Sequence, residues 1–177
     1  MKRLTILFLT AFTMAQAEHS ELSWPELDTT LPLWTSDETP PPNQKWPAIV
    51  YFHGTNGRPT IGLIKSATEG KHLVLVGMTF AQQRRFQQTE ESISTELSQL
   101  NTLKARLVNE QAADPAGIFV AGFSKGGWFT SLLLERDCTL AGGLVLSAGV
   151  FHGRNEPDVK PFTTNKAHLP RRRRRSQ

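Results

Sequence analysis

The chain has 177 residues, a length that allows one domain, and 38% of its residues are hydrophobic, which is enough for a core. Its formal net charge of +4 is misleading, because seven of the basic residues lie in two terminal segments without acids, two near the start and five near the end. Without these seven residues, 13 basic residues remain against 16 acidic ones, which is a net charge of −3. Composition therefore excludes a globally disordered chain and a basic, nucleic-acid-binding body.

The N-terminal segment has the three parts of a secretory signal peptide. Residues 1–3 (MKR) are basic, residues 4–15 are mostly apolar, and residues 15–17 (AQA) form an A-x-A cleavage site before Glu18. The apolar run is too short to span a bilayer. We therefore expect residues 1–17 to be removed on export to the periplasm or the medium, with no membrane contact afterwards. The alternative is a buried N-terminal helix.

The body of the chain predicts an α/β fold. We expect residues 18–46 to be irregular, with one short edge strand at 31–34. Apolar runs rich in β-forming residues predict strands at 48–52, 72–76, 118–121 and 143–148. Helical spacing of apolar residues predicts helices at 90–109 and from 128 to about 136. Because the later strands are apolar on both faces, we expect a mostly parallel sheet flanked by helices, within a partial domain at 18–160.

A G-x-S-x-G pentapeptide, residues 122–126 (GFSKG), lies between a predicted strand and a predicted helix. Gly122 and Gly126 lack Cβ atoms where strand and helix come close, so Ser124 can occupy a sharp, strained turn with its hydroxyl exposed. The backbone N–H of Lys125, at the start of the helix, points to where an oxyanion would develop. The pattern predicts Ser124 as a nucleophile; the alternative is a glycine-rich structural turn.

A second candidate element is the loop after an earlier predicted strand. In a parallel sheet, ligands gather at the carboxyl ends of the strands. His53-Gly54 follows one such end, and Ser124 follows another. A His-Gly turn at this place can supply a second oxyanion donor, the backbone N–H of Thr55 or Asn56. We expect His53 to be buried and to orient the loop rather than to act as a general base.

At these residues the chain resembles the α/β-hydrolase superfamily, and most of all its secreted esterase, dienelactone-hydrolase-like and prolyl-oligopeptidase-like branches. The matching pieces, within residues 45–152, are residues 51–54 (YFHG), the helix from Glu90, residues 122–127 and the strand to Ala148. The resemblance implies acyl transfer to Ser124 from an ester, thioester or amide. It also implies a small-molecule ester or peptide-like substrate and no cofactor. The chain shows neither metal-ligand spacing nor a phosphate loop.

The chain departs from the superfamily in the second half of the catalytic machinery. In the superfamily the catalytic residues follow the order Ser, then an acid after the next strand, then His after the strand beyond that one. Only 53 residues follow Ser124 in this chain. Asp158 and His168 have the right order, yet their separation of ten residues is too short for the intervening helix and strand. Asp137 lies at the end of the helix that follows Ser124 and is too local to reach the site. His152 is a candidate for the wall of the pocket or an ordinary loop residue. The sequence predicts a nucleophile and an oxyanion hole without a convincing acid and base.

The C-terminal segment, residues 161–177, is basic and contains five consecutive arginines at 171–175. One interpretation is a solvated tail, or one that binds anionic surfaces. Another follows from the genetic code, because arginine codons of the form CGN become GNC when read one base later. In that frame residues 166–175 can encode Lys-Pro-Ile-Tyr-Leu-Ala-Ala-Gly-Ala-Asp, a buried strand that ends in glycine and an acid. We favour this second interpretation, in which the natural protein is longer.

Three functions follow from these patterns. The first is an exported serine hydrolase of carboxylic esters, inactive or nearly so in this form. The second is a non-catalytic, hydrolase-like binding protein, and the third is an arginine-tailed protein that binds nucleic acid or membrane. The third depends only on the five arginines at 171–175, whereas the rest of the protein is acidic, so we expect no nucleic-acid partner. The one cysteine, Cys138, cannot form an internal disulfide and is predicted to be structural rather than reactive.

Overall fold

A computed structural model describes residues 20–81 and 89–148. In these residues the strands are β1 (Ser20–Trp24), β2 (Thr29–Thr35), β3 (Trp46–Phe52), β4 (Val74–Met78), β5 (Ala113–Phe123) and β6 (Gly142–Leu146). The helices are α1 (Gly62–Thr68), α2 (Glu90–Glu110) and α3 (Lys125–Arg136), and a 3-10 turn, Pro25–Leu27, follows β1. The predicted signal peptide, His152, Asp158, His168 and the basic tail lie outside the described residues.

The six strands form one sheet in the order β1-β2-β4-β3-β5-β6. β3 is parallel to β4 and β5, and β5 is parallel to β6, whereas β2 is antiparallel to β1 and β4. The predicted fold class, a mostly parallel sheet flanked by helices, is confirmed. The chain leaves β3 toward β4 and then crosses back over β3 to β5. The strand order therefore reverses at β3, and ligands bind at such switch points in α/β sheets.

The two crossovers place helices on opposite faces of the sheet. Along β3, Ala48, Val50 and Phe52 belong to the core shared with α2 and α3. Tyr51 and its partly buried neighbour Ile49 belong to the smaller core under α1. This alternation is the period of two that a strand imposes on its side chains. Within the described part of the chain, no helix is long and apolar enough to cross a membrane.

The expectation that residues 18–46 are irregular is wrong, because β1 and β2 form an antiparallel hairpin. Leu22, Trp24, Leu31 and Leu33 lie at alternate positions of the two strands, and all four are buried. Burial of this period-two stripe stabilises the hairpin. The predicted strand at 31–34 exists, but it pairs on both sides, and β1 rather than β2 is the edge.

The other differences concern element ends and burial. β4 begins two residues later than predicted and continues to Met78, α1 was not predicted, and α3 begins at Lys125. The strand expected to be fully buried at 143–148 corresponds to β6, where Leu144 is 51% exposed. The expectation is wrong because β6 is the edge of the described sheet. An apolar strand at an edge is covered only on the face that meets α3.

Candidate active site

Ser124 occupies the turn between the last residue of β5, Phe123, and the first residue of α3, Lys125. Its backbone has φ 52° and ψ −116°, a positive φ that a residue with a side chain rarely adopts. Backbone hydrogen bonds hold this conformation on both sides. Ser124 donates its N–H to Leu146 O at 2.8 Å and accepts from the N–H of Trp128 at 3.0 Å. The predicted strained strand–turn–helix is confirmed, and the nucleophilic role of Ser124 stays a prediction.

The two glycines of the pentapeptide lie where backbones nearly touch. A methyl group at Gly126 would place its carbon 2.2 Å from Phe52 O and 2.7 Å from His53 O. A methyl group at Gly122 would lie 2.2 Å from Gly126 O. Real contacts of this kind are never so short, so both positions require glycine. The predicted close approach of strand and helix is confirmed, and it also joins α3 to the end of β3.

The loop after β3 lies against this turn. A methyl carbon at Gly54 would lie 3.4 Å from the Cβ of Ser124. The N–H of Gly57 donates to Gly54 O at 3.1 Å and closes a turn in which Asn56 has φ 58°. Thr55 and Asn56 are exposed at its tip. The structure thus brings the two predicted elements together, while the roles of Thr55 and Lys125 as oxyanion donors stay predictions.

His53 lies beneath this loop and is 3% exposed. Its Nδ1 is 2.7 Å from Gly54 O, and because a carbonyl oxygen only accepts, Nδ1 carries the hydrogen and donates it. The ring packs edge-on against Phe80, with centroids 5.3 Å apart. The expected burial of His53 is confirmed, and its role in orienting the loop stays a prediction.

Asp137 lies at the far end of α3, about 20 Å from Ser124 at 1.5 Å per helical residue. Its carboxylate pairs with Lys104 Nζ at 2.6 Å and also accepts from Thr139. Burial alone would raise the pKa of Asp137, but these hydrogen bonds hold it below its usual value. Asp137 therefore joins α2 to the end of α3 and is outside the site, as expected. The adjacent Cys138 is exposed, and its assignment as structural rather than reactive stays a prediction.

The sequence reasoning missed Glu96, which projects from α2 and is 2% exposed. Its Oε1 accepts a hydrogen bond from the N–H of Ala81 at 2.8 Å. Burial raises the pKa of Glu96 from 4.5 to about 7, against the opposing effects of this hydrogen bond and of the Lys125 charge. A signal was present, because position 96 lies three residues after Ile93 and four before Leu100, on the apolar stripe of α2.

Phe80, also missed, joins these groups and is fully buried. Its ring packs on the rings of His53 and Phe129, with centroids 5.3 and 5.4 Å apart. Lys125 Nζ lies 5.8 Å from the centre of the Phe80 ring. The loops after β3, β4 and β5 therefore meet at one aromatic side chain.

The described residues supply only part of a hydrolytic site. Within 20–81 and 89–148, no hydrogen bond joins the hydroxyl of Ser124 to an imidazole or a carboxylate. The same residues contain no group of three or more His, Cys, Asp or Glu side chains placed to hold a metal ion. This arrangement can present a serine hydroxyl and backbone N–H groups to a substrate carbonyl.

Several solved structures resemble the chain. FphF, a fluorophosphonate-binding serine hydrolase of Staphylococcus aureus, superposes with a TM-score of 0.52 at 11% identity, over 73% of this chain and 55% of that one. YahD with malic acid has a TM-score of 0.53 at 11% identity, over 71% and 66% of the two chains. Puromycin hydrolase has a TM-score of 0.54 at 20% identity, over 74% and 22%.

The sequence itself matches no protein-family model and no curated protein. The chain spans about half of FphF, just under two thirds of YahD and about a fifth of puromycin hydrolase. At these identities the likeness concerns the fold. The described part of the chain therefore has the fold of the α/β-hydrolase superfamily.

Proposed function

We propose that the protein is an exported serine hydrolase that acts on carboxylic esters. The observation that carries the proposal is the strained turn at Ser124, with φ 52°, packed against the loop after β3. Strain of this kind persists only where the surrounding structure enforces it, and it concentrates at functional sites. Here the backbone contacts of Gly122 and Gly126 enforce it.

The proposed reaction has two steps. Ser124 Oγ attacks the ester carbonyl and loses its proton to a base, while the N–H groups of Lys125 and Thr55 stabilise the oxyanion. The tetrahedral intermediate expels the alcohol, which takes up a proton, and leaves an acyl-serine. Water then attacks the acyl-serine, and the acid and free Ser124 are released.

The base is the missing component in the described residues. An unassisted serine hydroxyl is a weak nucleophile at neutral pH. An oxyanion hole and a binding pocket still accelerate hydrolysis on the order of 10³ over water when triad members are absent. We therefore expect trace turnover from the chain as given. A version continued in the shifted frame after Lys166 and carrying the downstream acid and histidine should gain several orders of magnitude, because the histidine would then supply the base and the acid would orient it.

The test is hydrolysis of p-nitrophenyl acetate by both versions. Ser124→Ala should abolish turnover above background, whereas His53→Ala should weaken it by disturbing the Thr55 loop. Ser94→Ala, the same change at an exposed position of α2, is the matched control and should leave turnover unchanged. If the continued protein keeps full activity as Ser124→Ala, the turn is structural and the proposal fails. A continued protein that folds without turnover would instead be the non-catalytic binding protein.

The export part of the proposal depends on residues 1–17. Expressed in a Gram-negative host, the chain should be cleaved between Ala17 and Glu18 and leave the cytoplasm. N-terminal sequencing of the periplasmic and cytoplasmic fractions measures this. Recovery only of a cytoplasmic protein that begins at Met1 would refute export without touching the hydrolase proposal.

A further inference from the structure

A buried carboxylate connects two loops at the candidate site. Glu96 comes from α2, and its Oε1 accepts the N–H of Ala81, in the loop that follows β4. In the same loop, Phe80 packs against His53 of the loop after β3. The β4 loop, defined as residues 79–81, is therefore held from below by Glu96 and lies beside the proposed oxyanion loop.

Lys125, the first residue of α3, is linked to the same groups. Its Nζ lies 5.8 Å from the centre of the Phe80 ring, so its side chain extends toward the β4 loop. Its positive charge lowers the pKa of Glu96, against the larger effect of burial. Lys125 is also the residue whose backbone N–H faces the proposed oxyanion.

Packing alone does not explain a glutamate at this position. A charge that is 2% exposed is expensive to bury, and apolar residues of similar volume often replace such charges without loss of stability. The flanking positions on the buried face of α2, Ile93 and Leu100, are apolar. Titratable groups with strongly shifted pKa values are more typical of functional sites.

We propose that Glu96 is a positioning residue of the site. It clamps the β4 loop onto the first turn of α3 through the Ala81 N–H and the Lys125 charge. This clamp fixes the direction of the Lys125 backbone N–H. This inference rests on the proposed hydrolytic function for its consequence, but the clamp itself does not. Among residues 20–81 and 89–148, the groups that act on Glu96 are the N–H of Ala81 in the β4 loop and the charge of Lys125 in α3, with His53 on the other side of Phe80.

The clamp can be tested without activity, by amide hydrogen exchange at Ala81 and Lys125. Glu96→Gln keeps a carbonyl oxygen that can accept the Ala81 N–H but removes the charge. Glu96→Leu removes both. We expect exchange at Ala81 to rise about tenfold or more in Glu96→Leu and to change little in Glu96→Gln. Glu91→Gln, the same change at an exposed position of α2, is the control.

The second readout is the residual hydrolysis of p-nitrophenyl acetate that depends on Ser124. If the Lys125 N–H acts on the oxyanion alone, Glu96→Gln and Glu96→Leu should lower kcat about tenfold with KM nearly unchanged. The pH profile should also lose an inflection near pH 7 in both variants and keep it in Glu91→Gln. A merely structural residue would not remove that inflection while the Glu96→Gln fold is intact.

The outcomes separate the two proposals. Unchanged exchange at Ala81 in a folded Glu96→Leu protein would overturn the clamp. Unchanged kcat in both Glu96 variants, with turnover still abolished by Ser124→Ala, would overturn the positioning role and leave the hydrolase proposal intact. If Ser124→Ala has no effect on turnover, the hydrolase proposal fails, and hydrogen exchange alone decides on the clamp. Where Glu96→Leu does not fold, Glu96→Gln decides through its kcat and pH profile.

Discussion

The two faces of the sheet differ in how completely they are covered. Among the described residues, 22 buried side chains form one core on the face of α2 and α3, whereas the α1 face has seven. The α1 face also leaves Phe119 and Leu144 exposed by 37% and 51%, beside a cleft of about 200 Å³. We call the face of α2 and α3 the closed face and the α1 face the open face.

The difference shows where the site obtains its rigidity. The residues that hold the β4 loop, namely Phe80, Glu96 and Phe129, all belong to the closed side. Strain at Ser124 needs a close-packed surround, because a loosely packed one would let the backbone relax. The cleft on the open face is lined by residues such as Ile49, Ala121 and Leu144, and by none of the proposed site residues.

The largest effect should come from the backbone contact between α3 and β3. Gly126→Ala would force a methyl carbon against Phe52 O, so we expect a loss of about 4 kcal/mol or more in the free energy of unfolding. Urea denaturation measures this. Gly62→Ala in α1 is the control, since its methyl would meet only Thr60 Oγ1 at 3.6 Å. A folded Gly126→Ala protein with wild-type stability would show that the contact is not required.

Truncating one leucine on each face tests whether the two faces contribute differently to the free energy of unfolding. Leu103 is fully buried in the closed face, so Leu103→Ala should lower the free energy of unfolding by about 3 kcal/mol. Leu144→Ala on the open face should lower it by less than about 1 kcal/mol. Equal losses in urea denaturation would mean that the open face is covered in solution.

The pH dependence of stability tests the burial of Glu96 in the closed face. The pKa of Glu96 is raised to about 7 in the folded state, from 4.5. Between these two values the folded protein keeps a proton that the unfolded chain releases. The free energy of unfolding should therefore fall with rising pH in this window, by up to about 1.4 kcal/mol per pH unit, and level off above it.

The matched variants isolate this contribution. Glu96→Gln should remove the slope and be more stable than the wild-type protein above pH 7, since no charge is then buried. Glu91→Gln should retain the slope. A slope that survives in Glu96→Gln would assign the titration to another group.

The smallest effect on stability should come from Leu144→Ser on the open face. Leu144 is half-exposed on an edge strand, so the change should leave the unfolding free energy nearly unaltered. It should lower self-association, because an apolar edge strand favours pairing between molecules. Light scattering at matched concentrations measures this. Unchanged scattering would mean that β6 is not the self-associating edge.

The predictable parts of the fold were those in which local pattern and tertiary environment agree. Apolar runs identified β3 and β5, and the glycine spacing around Ser124 identified the strained turn, because the reason for both is local. The hairpin was missed because Leu22 and Leu31 are separated by polar residues and gain burial only on pairing. Helical periodicity counts apolar residues, so it passed over Glu96, whose burial depends on Ala81 and Lys125.

The exposure of β6 could not be predicted for a different reason. An apolar run such as the one around Leu144 predicts a strand, but its burial depends on what packs against it. The site was predictable as two loops, since His53 and Ser124 each follow a strand. Their contact depended on the strand order, in which β3 lies beside β5.

The most direct test of Ser124 is the intact mass of the protein after incubation with a fluorophosphonate, which phosphonylates activated serines. We expect one slowly formed adduct, mapped to Ser124 by peptide masses, absent from Ser124→Ala and unchanged in Ser94→Ala. The strained turn and the adjacent loop would then distinguish Ser124 from every other serine in the chain. Equal labelling of the Ser124→Ala protein, or adducts spread over several serines, would contradict the assignment.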